Sequence, residues 1–150
     1  MIIRSATPDD AEIVCQMIHK LADFEGLSAS CELTAEMVHR MLQEKNGLFA
    51  LLAETENKTT IGLAAYFFIP LAILSGRTVL YLEDLWVEPA FRGKGIATKL
   101  FQHLEQIAKK QHCLRMEWKC LQQNTPAIAF YQAMHGNISD TWMTFMKTIS

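Results

Sequence analysis

The fold is decided by residues 81–100, which run Tyr-Leu-Glu-Asp-Leu-Trp-Val-Glu-Pro-Ala-Phe-Arg-Gly-Lys-Gly-Ile-Ala-Thr-Lys-Leu. The first part of this stretch, which ends at Val87, is rich in apolar and aromatic residues and predicts a β-strand. Helical periodicity begins at Ile96, so residues 92–95 form the turn between strand and helix. Two of these four residues are glycines, which let a ligand approach the backbone. Because the N–H groups at the start of a helix converge on one point, the turn is a candidate phosphate site.

The Gly-x-Gly spacing alone does not decide what this turn does. It is equally compatible with a tight turn of purely structural importance. Two standard phosphate motifs do not match, because Gly95 stands where a P-loop needs Ser or Thr, and Thr98 stands where a dinucleotide-binding turn needs its third glycine. The motif must therefore be judged together with its flanking sequence.

Three ordered motifs give this flanking sequence a family resemblance. Arg92, Gly95 and Ala97 fill the pattern Gln/Arg-x-x-Gly-x-Gly/Ala, so the turn resembles the coenzyme A loop of the GCN5-related N-acetyltransferases. Residues 81–87 resemble the strand before that loop in the diamine (spermidine/spermine) acetyltransferase subgroup. An Asn-x-Pro sequence followed by Phe-Tyr occurs at a similar distance downstream, as Asn124, Pro126, Phe130 and Tyr131. Three matches in the same order are more specific than any one of them.

Length and composition predict one globular domain spanning residues 1–150. Half of the residues are hydrophobic, which is enough to form a substantial core in a chain of this length. The net charge is −2, from 14 basic and 16 acidic residues, and this balance argues against a nucleic-acid partner. No apolar run reaches the roughly 20 residues of a membrane helix, and the N-terminus does not resemble a signal peptide. We expect a cytoplasmic protein with no membrane partner.

The four cysteines indicate a reduced protein. Cys15, Cys31, Cys113 and Cys120 form no Cys-x-x-Cys pair and have no zinc-site spacing with the histidines. Nothing beside them indicates a base or a positively charged pocket that would activate a thiol. We therefore expect no metal site, and we expect catalysis by direct attack of the acceptor instead of an acyl-cysteine intermediate.

Sequence periodicity predicts an α/β fold (an α+β mixed sheet) with helices on both faces of a central mixed β-sheet. The order is strand, two helices, three strands, helix, strand, helix, strand, which matches the fold of the acetyltransferases named above. The predicted strands are residues 2–4, 48–54, 60–68, 78–87, 114–121 and 142–148, the predicted helices begin near residues 8, 34, 96 and 127, and residues 70–77 are a predicted loop.

Local signals predict how individual helices begin, end and pack. Residues 7–10, Thr-Pro-Asp-Asp, are a capping sequence for the first helix. Asn124 is suited to begin the last helix and Gly136 to end it. The second helix is predicted to bury an apolar stripe formed by Met37, Met41 and Leu42.

The family resemblance implies that acetyl-CoA is the co-substrate. Its pantetheine arm would lie between the strands predicted at residues 78–87 and 114–121, and its pyrophosphate would lie at the turn. Asn124 would hold the pantetheine arm, cap its helix, or do both. The implied cofactor-binding residues are Leu85, Trp86, Val87, Arg92, Gly93, Lys94, Gly95, Ile96, Ala97, Thr98, Asn124, Pro126 and Tyr131.

Glu83 is the predicted general base. An ammonium group has no lone pair with which to attack a thioester, so an amine acetyltransferase needs a base or must select the rare neutral amine. Glu83 and Asp84 are neighbours on a strand, so at least one of them is expected on a covered face, where a structural salt bridge is the alternative role. The resemblance favours Glu83, because the acid at this position in diamine acetyltransferases contacts the amine and helps to remove its proton, directly or through water.

Tyr131 is the predicted general acid, which protonates the departing thiolate. This role is implied by the Phe-Tyr match, and ordinary packing on an amphipathic helix is the alternative. The helix after Tyr131 is one residue longer before Gly136 than the family's usual spacing.

The acceptor is predicted to be the primary amine of a small molecule, either a diamine or an amino-acid-like compound. Phe24 and Glu25 match an aromatic-acid pair at the end of the first helix and are the implied substrate-binding residues together with Glu83. Residues 70–77 contain no acidic residue, whereas polyamine-specific members place one there. The alternative functions are a protein N-terminal or lysine acetyltransferase and a non-catalytic acyl-CoA-binding module. The family also implies a homodimer.

Overall fold

The computed structural model describes residues 1–150 and divides into two compact units, Met1–Lys119 and Cys120–Ser150. The first unit contains a five-stranded sheet in the order β1-β2-β3-β4-β5. The single domain predicted above stays a prediction. The strands are β1 (Ile2–Ser5), β2 (Phe49–Glu54), β3 (Thr60–Ala72), β4 (Arg77–Val87) and β5 (Arg115–Trp118).

Strand direction makes this a mixed sheet. The pairs β1–β2, β2–β3 and β3–β4 are antiparallel, and β4–β5 is parallel. A parallel neighbour needs a long crossover, which is supplied by the helix between β4 and β5. The predicted mixed sheet is therefore confirmed. The helices are α1 (Ala11–Phe24), α2 (Ala35–Gln43) and α3 (Ile96–Lys110) in the first unit and α4 (Thr125–Ala133) in the second.

The helices of the first unit cover both faces of the sheet. Val14 and Val38, from α1 and α2, form a core with Leu63 on one face. The preceding residue of β3, Gly62, lies on the opposite face. An added Cβ on Gly62 would be 3.2 Å from side-chain atoms of both Ile96 and Leu100. The beginning of α3 therefore packs closely against β3, and this contact fixes the start of α3 relative to the sheet.

Several predicted helix boundaries are confirmed. A short 3₁₀ turn at Pro8–Asp10 precedes α1, and the Asp10 carboxylate accepts a hydrogen bond from the Thr7 N–H at 2.7 Å. Thr34 caps α2 by accepting a hydrogen bond from the Met37 N–H at 3.2 Å. No helix combines the length and apolar character that crossing a bilayer requires.

The packing of α2 and the path of β3 differ from the predictions. Met37 is 40 % exposed, whereas Val38 is fully buried, so the apolar stripe of α2 consists of Val38 with the partly buried Met41 and Leu42. β3 extends to Ala72 and β4 begins at Arg77, so half of the predicted loop at 70–77 is strand. The irregular register between Ile69 and Ala72 accommodates Pro70, which lacks an N–H for the ladder.

The second unit overturns two predictions. Residues 142–148 are not a strand, because they pair with no other strand, although they are rich in apolar and aromatic residues. His135, with φ of 66°, takes the left-handed position predicted for Gly136 at the end of α4. The Gly136 N–H then bonds to the Tyr131 carbonyl oxygen at 2.8 Å. This pattern of bonds places the left-handed residue that follows α4 one position before the glycine.

Candidate active site

The turn between β4 and α3 has the backbone shape that binds an anion. Gly93 and Gly95 both have positive φ, 73° and 78°, and an added Cβ on either would meet nothing within 4 Å. Gly95 begins α3 without a side-chain cap, so no side chain there accepts a hydrogen bond from the N–H groups of the first turn. Those N–H groups and the positive end of the helix face an open space, which suits a phosphate.

The strand before this turn has an open backbone edge. The ladder between β4 and β5 extends from Val79 paired with Arg115 to Leu82 paired with Trp118. β4 continues to Val87, so residues 83–87 have no strand partner on the β5 side. Backbone groups on such an edge can bind an extended chain that carries amides. Leu85, Trp86 and Val87 lie in this segment.

A β-bulge at Glu83 interrupts the alternation of β4. Asp84 pairs with Ala65 and Leu82 pairs with Tyr66, so Glu83 is the extra residue. The bulge places Asp84 on the α1 side of the sheet, since its partner Ala65 belongs to the core beneath α1. Glu83 is exposed and Asp84 is half-buried.

The negative charges of two other carboxyl groups act on Asp84 near this bulge. Burial, together with the smaller effects of the negative charges of Glu83 and Glu25, raises the pKa of Asp84 to about 6. Burial also raises the pKa of Glu25, which follows the last residue of α1. The structure thus brings together Glu25 and Glu83, predicted separately, and adds Asp84. A group of carboxylates of this kind favours a cation.

The guanidinium of Arg92 lies over two aromatic rings that also contact each other. Its guanidinium carbon lies 5.0 Å from the centre of the Phe24 ring and 4.6 Å from that of Trp86. Its Nε donates a hydrogen bond to the Val87 carbonyl oxygen at 2.9 Å. Phe24 and Trp86 also contact each other edge to face, with centroids 5.9 Å apart. The turn is therefore connected to the end of α1 by a stack of three side chains.

Three of the predicted cofactor-binding residues belong to the second unit. Asn124 caps α4, because its Oδ1 accepts a hydrogen bond from the Ala127 N–H at 3.2 Å. Pro126 lies in the first turn of the same helix. Tyr131 is half-buried, and its ring lies 5.4 Å from that of Phe130. The cap is confirmed, and the roles of all three residues toward a cofactor stay predictions.

Sequence comparison supplies the family. The Acetyltransferase (GNAT) family profile matches residues 16–136. The chain belongs to this family. The GNAT chain is 34% identical over 148 residues to the thialysine N-epsilon-acetyltransferase of Caenorhabditis elegans, covering 95% of this chain and 89% of that protein. It is also 34% identical over 136 residues to the human spermidine/spermine N(1)-acetyltransferase-like protein 1, covering 86% of this chain and 19% of that protein.

Solved structures support the same GNAT fold. An aminoglycoside acetyltransferase from an uncultured soil metagenomic sample superposes with a TM-score of 0.83 at 18% identity, covering 99% of this chain and 96% of the other. The predicted family, fold class and acetyl-CoA-dependent N-acetyltransferase activity are therefore confirmed.

Sequence reasoning did not place Asp84 in the site. It weighed Asp84 only as the neighbour of Glu83, because a regular strand sends adjacent side chains to opposite faces. The signal was two adjacent acids inside an otherwise apolar strand, a pattern that a bulge next to a site accommodates. The stack of Arg92 over Phe24 and Trp86 had no sequence signal, since α1 and β4 are far apart along the chain.

Proposed function

We propose that this acetyltransferase acts on the primary amine of a small, cationic, amino-acid-like molecule of the thialysine class. The observation that carries this proposal is the convergence of Glu25, Glu83 and Asp84 beside the open edge of β4. A group of negative charges binds an ammonium group and disfavours anionic acceptors. The relative in Caenorhabditis elegans is named for thialysine, which supports an acceptor of this size and charge.

Polyamines are not the proposed acceptors. Residues 70–77 contain no acid that could bind a second, distant ammonium group. Two exposed side chains in this region are apolar, with Ile73 75 % exposed and Leu74 fully exposed. An amine with a single reacting end fits the position of the acids better.

The cofactor is proposed to bind along the open edge and the turn. Backbone N–H groups of residues 93–98 would hold the pyrophosphate, and the positive end of α3 would favour its charge. Backbone groups of residues 85–87 would bind the amides of the pantetheine arm. This arrangement directs the thioester toward the bulge, where the carboxyl groups lie.

Glu83 is proposed to accept the proton of the ammonium group, directly or through one water. The neutral amine then attacks the thioester carbonyl carbon, the nitrogen of the tetrahedral intermediate releases its surplus proton to water, and the intermediate collapses as the carbon–sulfur bond breaks. Tyr131 is proposed to donate its hydroxyl proton to the departing thiolate. Asp84 and Glu25 would hold the substrate cation by charge.

Asp84 is a second candidate for the base. Its pKa of about 6 is close to neutral pH, where a general base is most effective. Exposed Glu83 stands at the bulge itself, which gives it the shorter path to an incoming amine. The pH dependence of variants at the two positions separates these roles and is described in the Discussion.

An acceptor panel tests the proposed function. The purified protein is incubated with acetyl-CoA and thialysine, lysine, spermidine or a peptide with a free N-terminus, and the released thiol is measured. We expect the highest kcat/KM with thialysine. Thiol release only with the peptide would instead support a protein acetyltransferase. Coenzyme A binding without transfer to any amine would support a non-catalytic module.

We also propose that the protein is a cytoplasmic homodimer. Apolar side chains in the segment 138–149 are largely exposed in the single chain, with Trp142 83 % and Phe145 89 % exposed. A second copy that covers these side chains would remove them from water. The free cysteines agree with a reducing compartment. Sedimentation should give twice the chain mass of 17.0 kDa, and Trp142→Ser with Phe145→Ser should reduce it. A wild-type monomer at micromolar concentration would contradict the proposal.

A further inference from the structure

Two contacts join the end of α1 to the segment that leads into the phosphate turn. The guanidinium of Arg92 lies over the rings of both Phe24 and Trp86, which also contact each other. One helical turn earlier on α1, Lys20 forms an ion pair with Glu88. These contacts connect the proposed cofactor site to the helix end that carries one of the proposed acceptor acids.

The end of α1 is a defined hydrogen-bonded structure. Gly26 is left-handed, with φ of 73°, and its N–H bonds to the Asp23 carbonyl oxygen at 3.1 Å. The Leu27 N–H bonds to the Ala22 carbonyl oxygen at 2.7 Å. These two bonds are the pattern of a Schellman helix end. Glu25 lies inside it, directly after Phe24, so the position of the Phe24 ring also sets that of Glu25.

Arg92 is also held in a fixed position relative to the turn. Arg92 immediately precedes Gly93, so a ligand that fixes the backbone of the turn also fixes the Cα of Arg92. The Nε bond to the Val87 carbonyl oxygen orients the plane of the guanidinium at the end of β4. A planar guanidinium can stack on two rings and donate from its edge at the same time, which the compact ammonium group of lysine cannot do.

We propose that Arg92 is a positioning residue that couples the phosphate turn to the acceptor acids through Phe24. Coenzyme A bound at the turn fixes the stack, and the stack holds the end of α1 so that Glu25 is ready to receive the amine. This inference rests on the proposed function, because it takes the turn as the coenzyme A site. By linkage, the cofactor then raises the affinity for the amine, and the amine raises the affinity for the cofactor by the same factor.

Amide hydrogen exchange measures this coupling without an acceptor. The full chain is compared with and without saturating coenzyme A, as wild type and as Phe24→Leu and Arg92→Lys. Phe24→Leu removes one ring of the stack, and Arg92→Lys keeps the charge but loses the planar group. Phe68→Leu is the control, because it removes ring contacts with Phe49 and Tyr66 instead.

In the wild type, we expect coenzyme A to slow exchange at residues 93–98 and also, by about 10-fold, at the amides of Gly26 and Leu27. In Phe24→Leu and Arg92→Lys, the slowing should remain at the turn and disappear at Gly26 and Leu27. Phe68→Leu should behave as the wild type does.

Three other patterns of hydrogen exchange would contradict parts of this proposal. Slowing at Gly26 and Leu27 that persists in both stack variants would overturn the role of Arg92. Slowing confined to the turn in the wild type would overturn the coupling and leave the proposed cofactor site intact. If saturating coenzyme A slowed exchange elsewhere and not at residues 93–98, both the coupling and the proposed cofactor site would be wrong.

Discussion

The proposed phosphate turn at residues 92–95 and the acid cluster of Glu25, Glu83 and Asp84 are built in different ways. The turn consists of consecutive residues, and its shape follows from two left-handed glycines and the start of α3. The acid cluster combines the end of α1 with a bulge in β4, which are far apart in the sequence. A site made of adjacent backbone can be predicted locally, whereas a site made of converging side chains depends on strand register and packing.

The largest expected effect is at the turn. Gly95→Glu places bulk and negative charge where the proposed pyrophosphate binds, so it should abolish the thermal shift caused by coenzyme A. At about 100 times Kd, that shift corresponds to about 2.7 kcal/mol of stabilisation in the wild type. Differential scanning fluorimetry with a coenzyme A titration checks this prediction.

Gly76→Glu is the matched control for backbone strain. Gly76 also has positive φ, 68°, and open space around its Cα, but it lies in the connection between β3 and β4. Both variants should lose similar intrinsic stability, while Gly76→Glu should keep the coenzyme A shift. An undiminished shift in folded Gly95→Glu would place the cofactor elsewhere.

The next effect separates the two acids in the bulge. Glu83→Gln should lower kcat about 10²-fold at neutral pH and less at high pH, where free amine is plentiful. Asp84→Asn should mainly raise KM, because it removes a charge that holds the cation. The pKa of Asp84 is about 6, so its negative charge is lost as pH falls through 6. The wild-type KM should rise over that range, and the KM of Asp84→Asn should change less.

Steady-state kinetics with thialysine between pH 5 and about 9.5 distinguish these roles. If Asp84→Asn lost kcat and also lost the acid limb near pH 6, Asp84 would be the base. An equal loss of kcat at every pH in Glu83→Gln would make Glu83 a binding or structural residue.

Tyr131→Phe tests whether Tyr131, in the second unit, protonates the departing thiolate. A coenzyme A thiol is already a fair leaving group, so we expect a loss of about 10²-fold in kcat, at the low end for acid catalysis. The thermal shift caused by coenzyme A should barely change. A large loss of melting temperature with full activity would instead identify Tyr131 as a packing residue.

The smallest effect concerns the end of α4. His135 has a left-handed backbone, which costs a non-glycine residue about 1 kcal/mol. His135→Gly should therefore stabilise the protein by up to about 1 kcal/mol in urea denaturation. His103→Gly, inside α3, is the opposite control and should destabilise it. No gain from His135→Gly would indicate that its side chain makes a compensating interaction.

The sequence predictions were more accurate for features made of adjacent residues than for features that depend on segments far apart in the chain. The start of α3 at Ile96 was predicted correctly, because its periodicity and its glycine turn are local signals. The bulge at Glu83 was not predicted, because it exists only in the register between β3 and β4. The predicted strand at 142–148 was wrong, since an apolar and aromatic segment does not by itself supply a partner strand. The hydrogen bonds that end α4 are accepted by the carbonyl oxygens of Tyr131 and Gln132. These bonds place residue 135 in the left-handed position, although its side chain is that of histidine and the glycine follows it.

A crystal structure of the complex with coenzyme A and thialysine tests the central claim most directly. We predict that the pyrophosphate accepts hydrogen bonds from N–H groups of residues 93–98. We also predict that the reacting amine lies within about 3.2 Å of a Glu83 carboxylate oxygen, or one water away, with Asp84 and Glu25 around it. A pyrophosphate bound away from the turn, or an amine remote from all three carboxyl groups, would contradict this account.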